Sequence, residues 1–558
     1  MVIGLYIRRL RAMSSVLFVC ESVNHKRIII RMDSFVDCIS CCEPTSLPQL
    51  LEQSNDQRMQ TLGSLTTLVL KSFSSKSVWG MKRCWNCRDL RLMGLNEADF
   101  YSCICSLPTI TESWVLQHGK ECALKSITID NCAICHEAFE ALYHCFRTPC
   151  FACLTKLEIK PAESDKASRL TDKHWTVICD QLRSGACPDL ERIHLPGNAI
   201  GCAGVEALIG VYQQGSIKRC AALDLSGNGI GDKGATALAR IFDDASLCEC
   251  LECLDLSRNR IRSKGFDALL TQFGAVTHKC LHTLVLAHNS PKTASIQCLC
   301  RVLESGCCPQ LRCLDLSGLP LKAPCSISFA SAIRAGAFKY LEELRLCDCR
   351  LNVESLEHIA RAVVDAPLQM LKTLCLACNR FKQQSIQVLA TVLQRSCLPS
   401  LTCLDLSCNR MNDASVQELN NQYEDDVLAQ VEVLDLSDNQ IGNEGAFMIF
   451  DNVRHRQWAS LRDLNLERNK FTAVTSVQLR SLLEMENQLE TIRLTDMTKR
   501  RANVPLYRQE AVMNPKPEEK ETEEEVDPDV NLLKNLDISD AIVPSIQPVQ
   551  GEATTPIA

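Results

Sequence analysis

Several things are missing from this 558-residue chain, and each absence narrows what it can be. No apolar run approaches the roughly eighteen residues of a membrane-spanning helix, so no membrane segment is expected. There is no N-x-S/T sequon and no convincing secretory signal segment. A phosphate loop, a G-x-S-x-G elbow and an H-E-x-x-H helix are all absent, so catalysis by this chain is not expected, nor is a bound cofactor. Acidic residues are absent before Glu21, whereas Arg8, Arg9 and Arg11 are present. That pattern has one element of a mitochondrial presequence, but serine is sparse and the apolar residues share no face, so a capping or disordered segment is the expected reading of residues 1–60. Cysteine, by contrast, is abundant: 35 residues, none after Cys408. A disulfide framework belongs to small secreted scaffolds, and this chain is large, so reduced thiols in the cytoplasm are expected. Nucleus-associated, cytoskeletal or flagellar settings are the alternatives.

What is present is a phrase that recurs about every thirty residues. It reads Leu251-Glu-Cys-Leu254-Asp-Leu256-Ser-Arg-Asn259 and then Leu281-His-Thr-Leu284-Val-Leu286-Ala-His-Asn289. The frame restarts at Leu311, Leu341, Leu371, Leu401, Val431 and Leu461. Each unit is expected to open with a strand that sends Leu251, Leu254 and Leu256 inward and Cys253, Asp255 and Ser257 outward. The ninth position is a turn residue: Asn198, Asn228, Asn259, Asn289, Asn379, Asn409, Asn439 or Asn469. Its amide can bond backbone groups of adjacent coils. Cys349 holds this position once, and so does Leu319, where an irregular turn is expected. Apolar residues at helical spacing follow, as in Gly231–Phe242 and Gly265–Leu270, with glycine before the first turn.

The phrase is similar to the leucine-rich repeat signature, and a unit of this length with a full helix resembles the ribonuclease inhibitor-like class. The resemblance implies an α/β solenoid, with parallel strands on a concave face and helices on a convex one, whose usual use is protein binding. It is regular over 190–500 and irregular over 61–189, where related phrases begin at Leu65, Cys87, Leu124 and Leu154. Residues 501–558 are expected to be a disordered tail: between Asn514 and Asp540 there are ten acids and three bases, a net of −7, which equals the charge of the whole chain. Within that tail, the apolar residues of Val530–Ile538 have the spacing of a partner-docking helix.

The outward strand positions are the candidate partner-binding floor: Arg192, His194, Asp224, Asp255, Asp315, Glu343, Arg345, Asp405, Asp435 and Asp463. Arg260, Arg350, Arg380, Arg410 and Lys470 follow the turn residue and form a basic rim. An acidic floor beside a basic rim suits a protein partner with a basic or mixed-charge surface, and is unlike the single basic stripe that nucleic acid requires. The bland reading is that Asp is merely solvated in a common repeat phrase and that the rim cations pair locally. Cys132-x2-Cys135 and Cys150-x2-Cys153, with His136, His144 and Cys145 nearby, have zinc-like spacing, but Cys132 also falls on the turn position, so no metal is expected. The leading function is a non-enzymatic interaction scaffold. The layout of repeats followed by an acidic tail also resembles Ran GTPase-activating proteins, which makes a small GTPase the alternative partner. A ubiquitin-ligase adaptor is a further alternative, since related repeats follow F-box segments. The innate-immune nucleotide-binding receptors carry a phosphate loop that this chain lacks.

Overall fold

A computed structural model describes residues 88–494 except 119–123, 163–166, 218, 244–248, 421–426 and 486–488, together with the backbone of four strands upstream. Those strands are Leu17–Ser22, His25–Met32, Phe35–Cys41 and Thr67–Leu70. The chain divides into two units, Met1–Thr495 and Asp496–Ala558. The second unit lies outside the described residues, and with it the acidic tail and the segment Val530–Ile538.

From Asp89 onward, 14 parallel strands alternate with 13 helices in an unclosed sheet, an α/β leucine-rich repeat solenoid. The first three strands are β1 (Asp89–Met93), β2 (Ser126–Cys132) and β3 (Lys156–Pro161). The regular units that follow have three-residue strands, among them β6 (Cys253–Asp255), β7 (Thr283–Val285) and β8 (Cys313–Asp315). Neighbouring strands pair one unit apart without slippage, Leu254 beside Leu284 and Leu284 beside Leu314. The strands are short because each needs only to turn three leucines inward: Leu251, Leu254 and Leu256 are all buried. Their period of two matches the pleat and fixes the register, since a one-residue slip would turn every leucine to solvent. One unit cannot bury its apolar face, so each coil leans on its neighbours and the core is continuous along the solenoid.

The turn asparagines form a ladder beneath this core. Asn259 Oδ1 accepts from the amides of Asn228 (3.0 Å) and Ile230 (3.4 Å), while its Nδ2 donates to the carbonyls of Leu225 (2.9 Å) and Leu256 (3.0 Å). Each amide group therefore satisfies backbone groups of its own coil and the preceding one, in a place with no water to do so. Cys132 and Cys349 stand in by donating their thiols to the Leu92 and Leu316 carbonyls, each at 3.3 Å. The irregular turn expected at Leu319 is not found. Gly318 takes the same left-handed conformation that His288 and Asp348 take at the equivalent position. An asparagine at 319 would accept from two amides one coil back, at Asn289 and at position 291, and Pro291 has no N–H, so one of the two is not there to be served. Leu319 is fully buried.

Helices α5 (Gly231–Leu238) and α6 (Ser263–Phe273) show how the convex layer is spaced. Glycine does not precede the helix in these units, as the sequence had suggested, but lies inside it. A Cβ on Gly265 would come within 2.6 Å of the Asp232 Cα, so the glycine lets one helix start approach the last. Asp232 Oδ1 uses that proximity to accept from the amides of Arg262 (2.7 Å) and Gly265 (3.1 Å). Among the described residues no helix is long and apolar enough to cross a membrane. No disulfide joins the cysteines described between Cys103 and Cys408, and many of them are buried.

Candidate partner-binding face

Alternate residues of each strand point away from the core, and the strand register stacks them into columns. One column runs His194, Asp224, Asp255, Val285, Asp315, Arg345, Cys375, Asp405, Asp435 and Asn465. A second, two residues earlier in each strand, holds Arg192, Cys253, Cys313, Glu343, Cys403 and Asp463. All ten floor residues read from the sequence thus lie on one sheet face. Arg345 is exposed, Asp405 is buried and the others are half-buried.

The aspartates also hold the turn that follows them. Asp224, Asp255, Asp315, Asp405 and Asp435 each accept, through Oδ1, from the backbone amide of the serine two residues on, at 2.8–2.9 Å. Ser257, expected to face out, is instead buried, and its hydroxyl donates to Asp255 at 2.7 Å. The recurring Asp-x-Ser is therefore a local brace. At Asp435 the second oxygen also has a partner, Asn465 Nδ2 at 3.0 Å.

The floor charges are not equivalent. Burial works against the Asp224 carboxylate, but His194 and the Ser226 amide and hydroxyl outweigh it and hold its pKa below the usual range. The His194 ring lies 3.9 Å from it. Burial, with Asp224 beside it, pushes Asp255 up to about 6. Arg345 pairs with Glu343 on its own strand, and that partnership outweighs burial to stabilise the cation further. Arg192 reaches across two coils to Glu252. The floor thiols are inert by the same physics: burial raises Cys253 to about 11 and Cys313 to about 12.

The rim lies where each strand passes into its loop. Arg260, Arg350, Arg380, Arg410 and Lys470 are all exposed there. Lys470 donates to Gln440 Oε1 at 3.1 Å. None of the four arginines forms an ion pair among the described residues, contrary to the bland reading of local pairing. Arg260, Arg350 and Arg380 have φ of 56°, 53° and 62°, the left-handed region that favours glycine.

The cysteines with zinc-like spacing have other uses. Cys132 serves the ladder, and Cys145 donates to the Ile104 carbonyl at 3.6 Å. Among the described residues no group of three or more His, Cys, Asp and Glu side chains is placed to hold a metal ion.

A family model described as Leucine Rich repeat matches residues 222–239, 247–270, 397–419 and 431–450. These matches fall within the regular coils and agree with the leucine-rich repeat solenoid described above. Proteins of this class generally act as protein-interaction scaffolds. No curated protein matches the chain. Among solved structures, an internalin from Listeria monocytogenes is 15% identical over 68% of this chain and 82% of that one, with a TM-score of 0.36. A protein from Bacteroides fragilis is 10% identical over 87% and 93%, with a TM-score of 0.25.

Proposed function

We propose that this solenoid is a non-enzymatic scaffold of the ribonuclease inhibitor-like kind, which holds a protein of mixed surface charge across its floor and rim. The observation that carries the reading is the adjacency of two rigid arrays of opposite sign. Half-buried carboxylates occupy one strand column, and arginines that form no ion pair among the described residues recur at the turn beside it. Charges held on a sheet lose little entropy when a partner docks, and opposed patches orient the encounter and reject partners of the wrong pattern. The small residues of the neighbouring column, Cys253, Thr283 and Cys313, leave room for a partner's side chains over the floor. Abundant free thiols support a reducing setting such as the cytoplasm. No observation favours a GTPase-activating or ligase-adaptor role over this one.

Affinity capture from the native cells tests the proposal, using the tagged full chain beside a variant carrying Asp224→Asn, Asp315→Asn and Glu343→Gln. A partner set retained by the full chain and weakened in the variant is expected. A partner set that the variant retains in full would remove the floor from the reading. Capture of nothing by either chain would sink the scaffold itself.

A further inference from the structure

The two edges of the sheet handle charge in opposite ways. At the edge where strands begin, cations and acids alternate from coil to coil and neutralise one another. Glu342 lies between Arg312 (3.2 Å) and Lys372 (2.6 Å), and Arg462 reaches Glu490 at 3.8 Å. At the edge where strands end and helices begin, Arg468 pairs with Asp438, but the rim arginines Arg260, Arg350, Arg380 and Arg410 form no ion pair among the described residues. Beyond the rim arginines there is a second row, missed in the sequence: Arg262, Lys292, Lys322 and Lys382, all exposed. Each sits at the N-cap of its helix, and none caps it with a side-chain hydrogen bond. None forms an ion pair among the described residues.

This arrangement opposes helix stability. A helix start carries partial positive charge and favours Ser, Asp or Asn at the N-cap, as Thr171 and Asn352 illustrate in this chain. A lysine there contributes like-charge repulsion instead. The first helical residue tells the same story. Outside the stretch it is Asp172 or Asp413 in two helices, and Asp232 stands second in another; each of these accepts backbone amides from the next coil. Between them it is Ser263, Thr293, Ala323, Val353 and Gln383. Over these five helices the first turn holds one acid, Glu354, while four of the five N-caps are cations. Helix starts and side chains together create an anion-attracting strip along one edge.

We infer that this edge binds an extended acidic segment of a protein partner, rich in Asp and Glu, laid across the starts of successive helices. The inference rests on the scaffold reading and supplies the chemistry of one partner element. A carboxylate chain fits better than nucleic acid. The acidic floor lies beside the strip and would repel a broad phosphate backbone, and no aromatic side chain stands at the rim or N-cap positions of these coils to stack bases.

The test is fluorescence anisotropy of a labelled decaglutamate peptide with the full chain, at about 0.05 M and about 0.15 M salt. Saturable binding that weakens with salt is expected. The triple variant Lys292→Glu, Lys322→Glu and Lys382→Glu should lose at least about tenfold in affinity. Its thermal midpoint should stay level or rise, since glutamate suits a helix start, so a loss of binding would not reflect unfolding. Lys372→Glu, on the opposite edge, should bind as the native chain does. Equal binding by the triple variant, or no saturable binding by the native chain, would overturn the inference. So would an oligouridylate of the same charge binding about tenfold tighter than the peptide. The two proposals fail separately. Lost peptide binding with an intact captured partner set removes only the edge, whereas intact peptide binding with a partner set that the floor variant retains in full removes only the floor.

Discussion

Asp224 and Asp255 occupy directly paired positions on adjacent parallel strands, yet their acidities are displaced in opposite directions. Asp224 has His194 and Ser226 to hold its charge, whereas Asp255 is more buried and faces Asp224. The folded pKa of Asp255, raised from 3.8 to about 6, means its contribution to stability is complete below about pH 4 and is lost as pH rises through 6. Asp224, being lowered, contributes in the other sense, and its share is lost as pH falls. Asp255→Asn keeps an acceptor for the Ser257 amide and removes the buried charge. Its stability relative to the native chain should therefore improve between pH 4.5 and pH 7.5, by about 1–3 kcal/mol. Chemical denaturation at the two pH values measures this, and an unchanged difference would mean that Asp255 is not strained.

Asn379 illustrates what the ladder contributes. It is buried and accepts from the Cys349 amide (3.0 Å) and the Leu351 amide (3.3 Å), while donating to the carbonyls of Leu346 (2.8 Å) and Leu376 (3.1 Å). Asn379→Ala leaves all four without that partner, two of them amides with no water in reach. The expected loss is about 3–5 kcal/mol. Because coils couple mainly to their neighbours, denaturation should also lose cooperativity, with the coils on either side of Asn379 opening first. Amide hydrogen exchange resolves that order, and uniform protection across the solenoid would contradict it.

The inward leucines, the turn asparagines and the outward columns were all legible in the sequence, because a repeat multiplies a weak local signal. Leu251, Leu254 and Leu256 say little once but a great deal when restated at Leu281, Leu284 and Leu286. What escaped were relations between coils. The irregular turn expected at Leu319 followed from that unit alone, whereas one of the two amides that an asparagine there would serve is removed by Pro291 in the previous coil. Ser257 was placed outside by strict alternation, but the strand ends at Asp255 and the chain has begun to turn. Gly265 reads as a helix signal until Asp232 is seen against it. The row from Arg262 to Lys382 was written in the same frame as the rim. Its meaning depended on knowing that a helix starts at each of those residues.

Gly265→Ala separates local propensity from packing. In an exposed helix interior, alanine in place of glycine is favoured by about 1 kcal/mol. At 265 the new Cβ would meet the Asp232 Cα at 2.6 Å and its carbonyl oxygen at 3.0 Å, both backbone atoms that cannot rotate away. The variant should be destabilised by about 1–3 kcal/mol, because α5 and α6 must separate and the Asp232 hydrogen bonds lengthen. A midpoint at or above the native one would show that the coils slide freely over each other.

Arg380 allows a test in which stability and binding move apart. Its φ of 62° is one that glycine adopts without strain, and Gly229 occupies the equivalent position, with φ of 75°, in an earlier coil. Arg380 is exposed and has no ion pair among the described residues, so its removal breaks no contact of that kind. Relief of left-handed strain, worth about 1–2 kcal/mol, exceeds the extra freedom that glycine gives the unfolded chain, at about 0.4–1 kcal/mol. Arg380→Gly should therefore be as stable as the native chain or up to about 1 kcal/mol more stable. Its affinity for the decaglutamate probe should nonetheless fall, by about threefold for the loss of one cation among several at the edge. A residue kept only to fill a turn would show the gain in stability and no change in binding. A residue kept for an acidic partner shows both, and denaturation and anisotropy on the same preparation decide between them.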